Sequence, residues 1–147
     1  MKTTTSILLV FFSFILNAQN REEGKTDKIN LANKEFKVNG SCFEDESRES
    51  YELTDFERGV DEFNWGYFIS FTEHSFTTSY SAPCGNDCFT SVSGTYEFVG
   101  LNKIKVFVST IRGNGFCQKE SEEPNRSYGT YSLEQTAVGV NIKKVIK

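Results

Sequence analysis

From Phe36 onward, apolar and polar positions alternate with the period of two that a pleated strand imposes. The clearest run is Trp65, Tyr67, Ile69 and Phe71. After "TEHS" it returns as Phe76, Thr78 and Tyr80, which predicts a hairpin. Val92–Val99 and Lys103–Thr110, joined by "GLN", predict a second hairpin with Ile104, Val106 and Val108 on one face. Ser127–Leu133 and Val138–Val145, joined around "EQTA", predict a third. Upstream, Phe36, Val38 and Cys42 share one parity across Gly40, so a strand with a kink or bulge at the glycine is expected. Arg112–Arg126 is polar, with glycines and a proline, and reads as a surface loop.

Glu44–Glu62 fits two templates. Tyr51 and Leu53 alternate, whereas Leu53, Phe56, Val60 and Phe63 have helical spacing, with Thr54 and Glu57 placed like a capping box and Gly59 weakening the helix. A short strand or loop followed by one or two helical turns is expected there. Seven or eight sequential strands with at most one short helix predict an all-β fold. A sheet of that kind must hide or abolish its edges, which favours a small antiparallel up-and-down barrel, with an open β-sandwich as the alternative. "GTYEF" at Gly94 returns as "GTYSL" at Gly129; two copies are too few for a solenoid, so the repeat reads as a strand-opening device used twice.

The N-terminus changes the picture. "MKTTTSILLVFFSFILNAQN" has one lysine, an apolar run from Ile7 to Leu16 interrupted by Ser13, and a small residue at Ala18, the pattern of an export signal. The run is too short to cross a bilayer, which takes about 20 apolar residues. The expected organisation is a signal peptide over residues 1–18, a polar mobile leader over 19–33, and one β domain over 34–147, secreted or periplasmic and without a membrane anchor. The formal net charge of −4, made more negative by loss of Lys2, argues against nucleic acid as a partner.

Cys42, Cys84, Cys88 and Cys117 all follow the cleavage point, and an even count in an oxidising compartment predicts two disulfides in one of three connectivities. Zinc is not expected, because His74 is the only histidine and the cysteines other than the 84/88 pair are far apart in sequence. Redox catalysis is disfavoured too: "CGNDC" lacks Cys-x-x-Cys spacing, and Asp87 would oppose a thiolate. On the chain-entropy account a Cys84–Cys88 staple contributes about 2 kcal/mol and a Cys42–Cys117 bridge roughly 4.5 kcal/mol. That pairing is favoured over the two crossed ones.

No catalytic centre, metal or cofactor is read from the chain. The nine acids against two arginines in Glu44–Glu62 lack the spacing of a calcium loop and read as solvated charge. Asp55, Glu57, Asp61 and Glu62 are the candidates for meeting a basic protein partner. Tyr67, Phe71, Phe76 and Tyr80 are the candidates for lining an apolar ligand cavity, set against the simpler reading that they fill the barrel.

The stretch "FISFTEHSFTTSYSAPCGNDCFTSVSGTYEFVGLNKIKVFV", from about Trp65 to Thr110, resembles small secreted bacterial β domains of the lipocalin-like and META kinds. They share its order of strand, turn, strand, cysteine loop, Gly-x-Tyr and short hairpin. The resemblance implies a barrel. It transfers no ligand-binding residue, because the Gly-x-Trp that opens the first lipocalin strand is missing and "CGNDC" stands where META-like domains have "GCN". The expected function is that of an exported, non-enzymatic binding domain. The alternative is a periplasmic immunity or inhibitor protein that covers a basic enzyme with its acidic 44–62 segment.

Overall fold

The computed structural model describes residues 27–57, 59, 64–83, 88–115 and 120–146. The expected signal peptide, Cys84, Cys117, Asp61 and Glu62 lie outside them. Eight strands form: β1 Lys34–Val38, β2 Ser50–Asp55, β3 Gly66–Phe71, β4 Ser75–Ser81, β5 Cys88–Gly100, β6 Lys103–Gly115, β7 Arg126–Gln135 and β8 Gly139–Lys144. They close into an antiparallel barrel in the order β1-β2-β8-β7-β6-β5-β4-β3. Sequential pairing holds from β3 to β8, and the β1–β2 hairpin completes the ring in reversed order, with β2 against β8 and β1 against β3. Leu53 and Thr54, the start of the expected helix and its capping box, belong to β2, and no helix occurs among the described residues.

The three expected hairpins are present, and the second is longer than expected. β5 and β6 pair from Cys88↔Gly115 to Gly100↔Lys103, so Arg112–Gly115 is strand and not loop. β1 ends at Val38, before Gly40.

The "GTY" repeat does not open strands. Gly94 lies inside β5, opposite Val108 and next to a register shift, and Gly129 lies inside β7, opposite Val106 and next to another. Both glycines therefore sit at β-bulges flanking β6, where the sheet bends. A Cβ on Gly94 would lie within the envelope of the Phe107 carbonyl oxygen and 2.9 Å from the Phe76 ring. Two residues on, Tyr96 and Tyr131 point into the core, where both are buried.

The interior is packed across its middle. The β1–β2 loop turns inward, placing buried Cys42 and Phe43 among the strands, with Phe43 at φ 59°. Its ring centroid lies 5.0 Å from those of Tyr51 and Phe76 and 5.3 Å from that of Tyr131. Arg48 ties the loop down, donating to Asn39 Oδ1 at 2.9 Å and to the Ser50 carbonyl at 3.1 Å. Lys144 Nζ donates to the Glu46 carbonyl at 2.7 Å.

The opposite end, the base, is closed by residues that the sequence reading assigns to the mobile leader. Ile29 and Leu31 are buried, and the Ile29 N–H donates to Asn102 Oδ1 at 2.8 Å in the β5–β6 turn. This clasp joins residues 73 positions apart, so no local pattern announces it.

Burial pushes the Cys42 thiol and the Tyr51 and Tyr131 phenols well above their ordinary values, and the nearby Cys42 raises both phenols further, while Arg48 draws the thiol back a little. In the unfolded chain the thiol ionises near pH 8.5 and the phenols near pH 10, so from about pH 8.5 upward the unfolded state binds fewer protons than the fold. Stability is complete below that point. The thiol's share is lost from about pH 8.5 and the phenols' from about pH 10, at up to about 1.4 kcal/mol per pH unit for each group, until its folded pKa is reached. Urea midpoints compared at pH 7.5 and pH 10.5 check this, and an unchanged midpoint would show that the groups ionise within the fold.

Candidate functional site

Three aromatic side chains, Tyr67, Tyr80 and Phe89, cluster at the rim, the end of the barrel where β3 begins and β4 ends, and Trp65 stands immediately ahead of β3. Tyr67 and Tyr80 are cross-strand partners on the row that continues inward through Ile69↔Thr78 to Phe71↔Phe76. Backbone pairing of β4 with β5 covers Ser75–Thr77 against Ser93–Thr95. Just beyond it, the buried Thr78 hydroxyl accepts from the Val92 N–H at 2.7 Å, satisfying both groups. Above that point rings meet across the strands: Tyr67 to Tyr80 at 4.6 Å and 38° between the paired β3 and β4, then Tyr80 to Phe89 at 5.4 Å and 40° between β4 and β5. Tyr67 is 37% exposed and Trp65 is 38% exposed, while Tyr80 and Phe89 are half-buried.

Of the four ligand-lining candidates, the structure leaves Tyr67 and Tyr80 accessible and puts Phe71 and Phe76 in the core. Phe71 packs edge-on against Tyr96 and Phe36, and Phe76 packs against Phe43. These two are filling, because their rungs lie where the barrel is closed on both sides. Trp65 opens the alternation that Tyr67 continues, although it is not among the four lining candidates. Phe89 was not legible, since the second hairpin was expected to begin only at Val92.

A second concavity lies at the base. β4 begins at Ser75, opposite Thr95, yet β5 runs on to Gly100, and this mismatch in length leaves a cleft between the β3–β4 turn, the end of β5 and the N-terminal segment. Its volume is about 480 Å³, and Lys28, Ile29, Glu73, His74, Glu97 and Phe98 are among its walls. The Tyr96 N–H donates to the His74 carbonyl at 2.9 Å and its hydroxyl to the Thr72 carbonyl at 2.7 Å, which fixes the turn against β5. Burial, and after it the Glu73 carboxylate, pushes the Tyr96 phenol upward. Lys28 Nζ lies 4.4 Å from the Phe98 ring centroid.

The acidic segment is not one face. Glu44, Asp45 and Glu46 lie in the loop at the rim, and Asp55 and Glu57 lie at the base, separated by the length of β2. Asp55 and Glu57 are exposed and border a depression of about 390 Å³ that also includes Lys34 and Glu35. A single contiguous acidic surface over 44–62, as the inhibitor reading needs, is therefore not formed by the described residues. Two hydrogen bonds from Ser47 hold the Asp45 carboxyl below its ordinary range.

The cysteines also differ from expectation. Cys42 is a free, buried thiol, so the favoured Cys42–Cys117 bridge is not formed; the inward turn of its loop seals the sulfur within the core. Cys88 takes part in a disulfide whose partner lies outside the described residues. Among the described residues no cluster of histidine, cysteine and carboxylate side chains is arranged to hold a metal ion. No helix among them is long and apolar enough to cross a membrane. Of known proteins, no family model, no curated protein and no solved structure matches the chain.

Proposed function

We propose that this protein is an exported, non-enzymatic binding domain that takes a small apolar ligand on the aromatic rim formed by Trp65, Tyr67, Tyr80 and Phe89, and not inside the barrel. The observation that carries this reading is the row of partly exposed rings left on a barrel whose interior Phe43 already fills. Aromatic side chains bury large apolar area and carry little conformational entropy into a complex, so a fixed row of them is a prepared surface. Four rings cover far less than the roughly 800 Å² per side of a stable protein interface, which favours a small ligand. Covering about 200 Å² of ring surface at ~25 cal/mol per Å² gives about 5 kcal/mol, so dissociation constants near 1 mM are expected for simple probes once ordering costs are included.

Trp65 is the only tryptophan in the chain and reports on the site directly. Titration with benzyl alcohol is expected to shift its emission saturably and to move the amide resonances of Tyr67, Tyr80 and Phe89. The double change Tyr67→Ser with Tyr80→Ser should weaken binding at least about tenfold. Resonance shifts centred on Phe43, Tyr51 and Tyr131 would place the ligand in the interior and overturn the proposal, as would the absence of saturable binding.

A further inference from the structure

We infer that the cleft at the base is an ammonium-recognition site whose resident occupant is the chain's own Lys28. The site is separate from the aromatic rim and does not depend on it. A cation gains most from an aromatic face when carboxylates stand nearby and solvent is partly excluded. The cleft supplies the three together: the half-buried Phe98 ring, the Glu73 and Glu97 carboxylates, and a concave wall about 480 Å³ in volume. Glu73 and Tyr96 both line the cleft, and after burial the Glu73 carboxylate is the further cause that pushes the phenol upward. Glu97 meets Lys105 at 3.9 Å, a long and exposed pairing that holds it loosely.

Lys28 shows what the cleft accepts. Its ammonium rests 4.4 Å from the Phe98 centroid, and its backbone neighbours are held in place from the other side, where Asn102 binds Ile29. The lysine side chain itself is exposed and has four rotatable bonds, so it can leave the ring while the segment stays docked. An ammonium ion from outside, whether a free quaternary amine or a partner's lysine side chain, competes with this tethered one. Where the competent state is only a fraction of the population, the apparent affinity falls by that fraction. An exposed cation–π contact of ordinary strength, about 0.5–1 kcal/mol, corresponds to occupancy that weakens an external ligand by about three- to sixfold.

The test is a low-salt titration of the whole domain with tetramethylammonium and, separately, with Nα-acetyl-lysine amide, read by the amide resonances of Tyr96, Glu97 and Phe98. At least one probe is expected to saturate these shifts. Preference for the first assigns the site to small quaternary amines, and preference for the second assigns it to a lysine side chain. Lys28→Met should tighten binding about three- to sixfold, and Phe98→Leu added to Lys28→Met, where no tethered ammonium competes, should weaken it at least about twofold, with the Phe43 resonances confirming the fold. Should Phe98→Leu fail to fold, the Lys28→Met comparison still decides. Failure of both probes to bind in the wild type and in Lys28→Met overturns the site. Binding that Lys28→Met leaves unchanged overturns the role given to Lys28. Neither result bears on the rim, because Tyr67 and Tyr80 are not in the cleft.

Discussion

Gly94→Ala is expected to abolish folding, or to cost at least about 3 kcal/mol if the protein still folds. The residue is buried in β5, and an added methyl would enter the envelope of the Phe107 carbonyl oxygen while meeting the Phe76 ring at 2.9 Å. Neither neighbour can yield cheaply. The carbonyl belongs to β6, which is held on both sides by β5 and β7, and the ring is packed against Phe43 and Phe71. Gly100→Ala is the control, since nothing lies within 4 Å of its added methyl, and it should change stability by less than about 0.5 kcal/mol. Urea denaturation of the two variants measures the contrast. A loss at Gly94 below about 1 kcal/mol would mean that the bulge does not require a glycine.

Phe43→Ala carries the second largest expected effect, about 3–5 kcal/mol, because it removes a fully buried ring that touches three others. The position is unusual in a second way. Its φ of 59° is a left-handed conformation that costs any residue with a Cβ about 1–2 kcal/mol. Alanine keeps that cost while losing the ring, whereas glycine loses the ring and escapes the cost. Phe43→Gly should therefore be as stable as Phe43→Ala or more so, by about 1 kcal/mol, although glycine is ordinarily the worse choice. If alanine is the better of the two, the loop has relaxed out of the barrel and the ring is no longer what holds it there.

The three hairpins were legible because each is a local event, two alternating runs and a turn. The aromatic rim was half legible for the same reason, through Tyr67 and Tyr80. Three other features depend on contacts distant in sequence and leave little local trace. Phe43 sits in a polar stretch and reads as loop, yet it is the centre of the core, because a left-handed residue turns the loop inward. Ile29 and Leu31 are two apolar residues in a charged run, and only Asn102, far downstream, explains their docking. The glycines of the "GTY" repeat read as strand openers, whereas they lie inside β5 and β7. Their use as bulges appears only when β6 is placed between them. The base cleft follows from a difference in length between β4 and β5 at one edge, which alternation does not encode.

The reversed entry of the β1–β2 hairpin has a consequence for the order of assembly. Ser50 pairs with Lys143 and Thr54 with Gly139, so the seam between β2 and β8 joins the early part of the chain to its last strand. A ribosome making this protein releases β3 to β7 in an order in which each strand meets its neighbour at once. β2 waits for β8, the last of the eight strands in chain order. Closing so long a loop is entropically expensive and slow compared with zipping a hairpin. The ring is thus shut in one late step, and a chain that stops short of residue 139 retains a β2 edge open to other molecules.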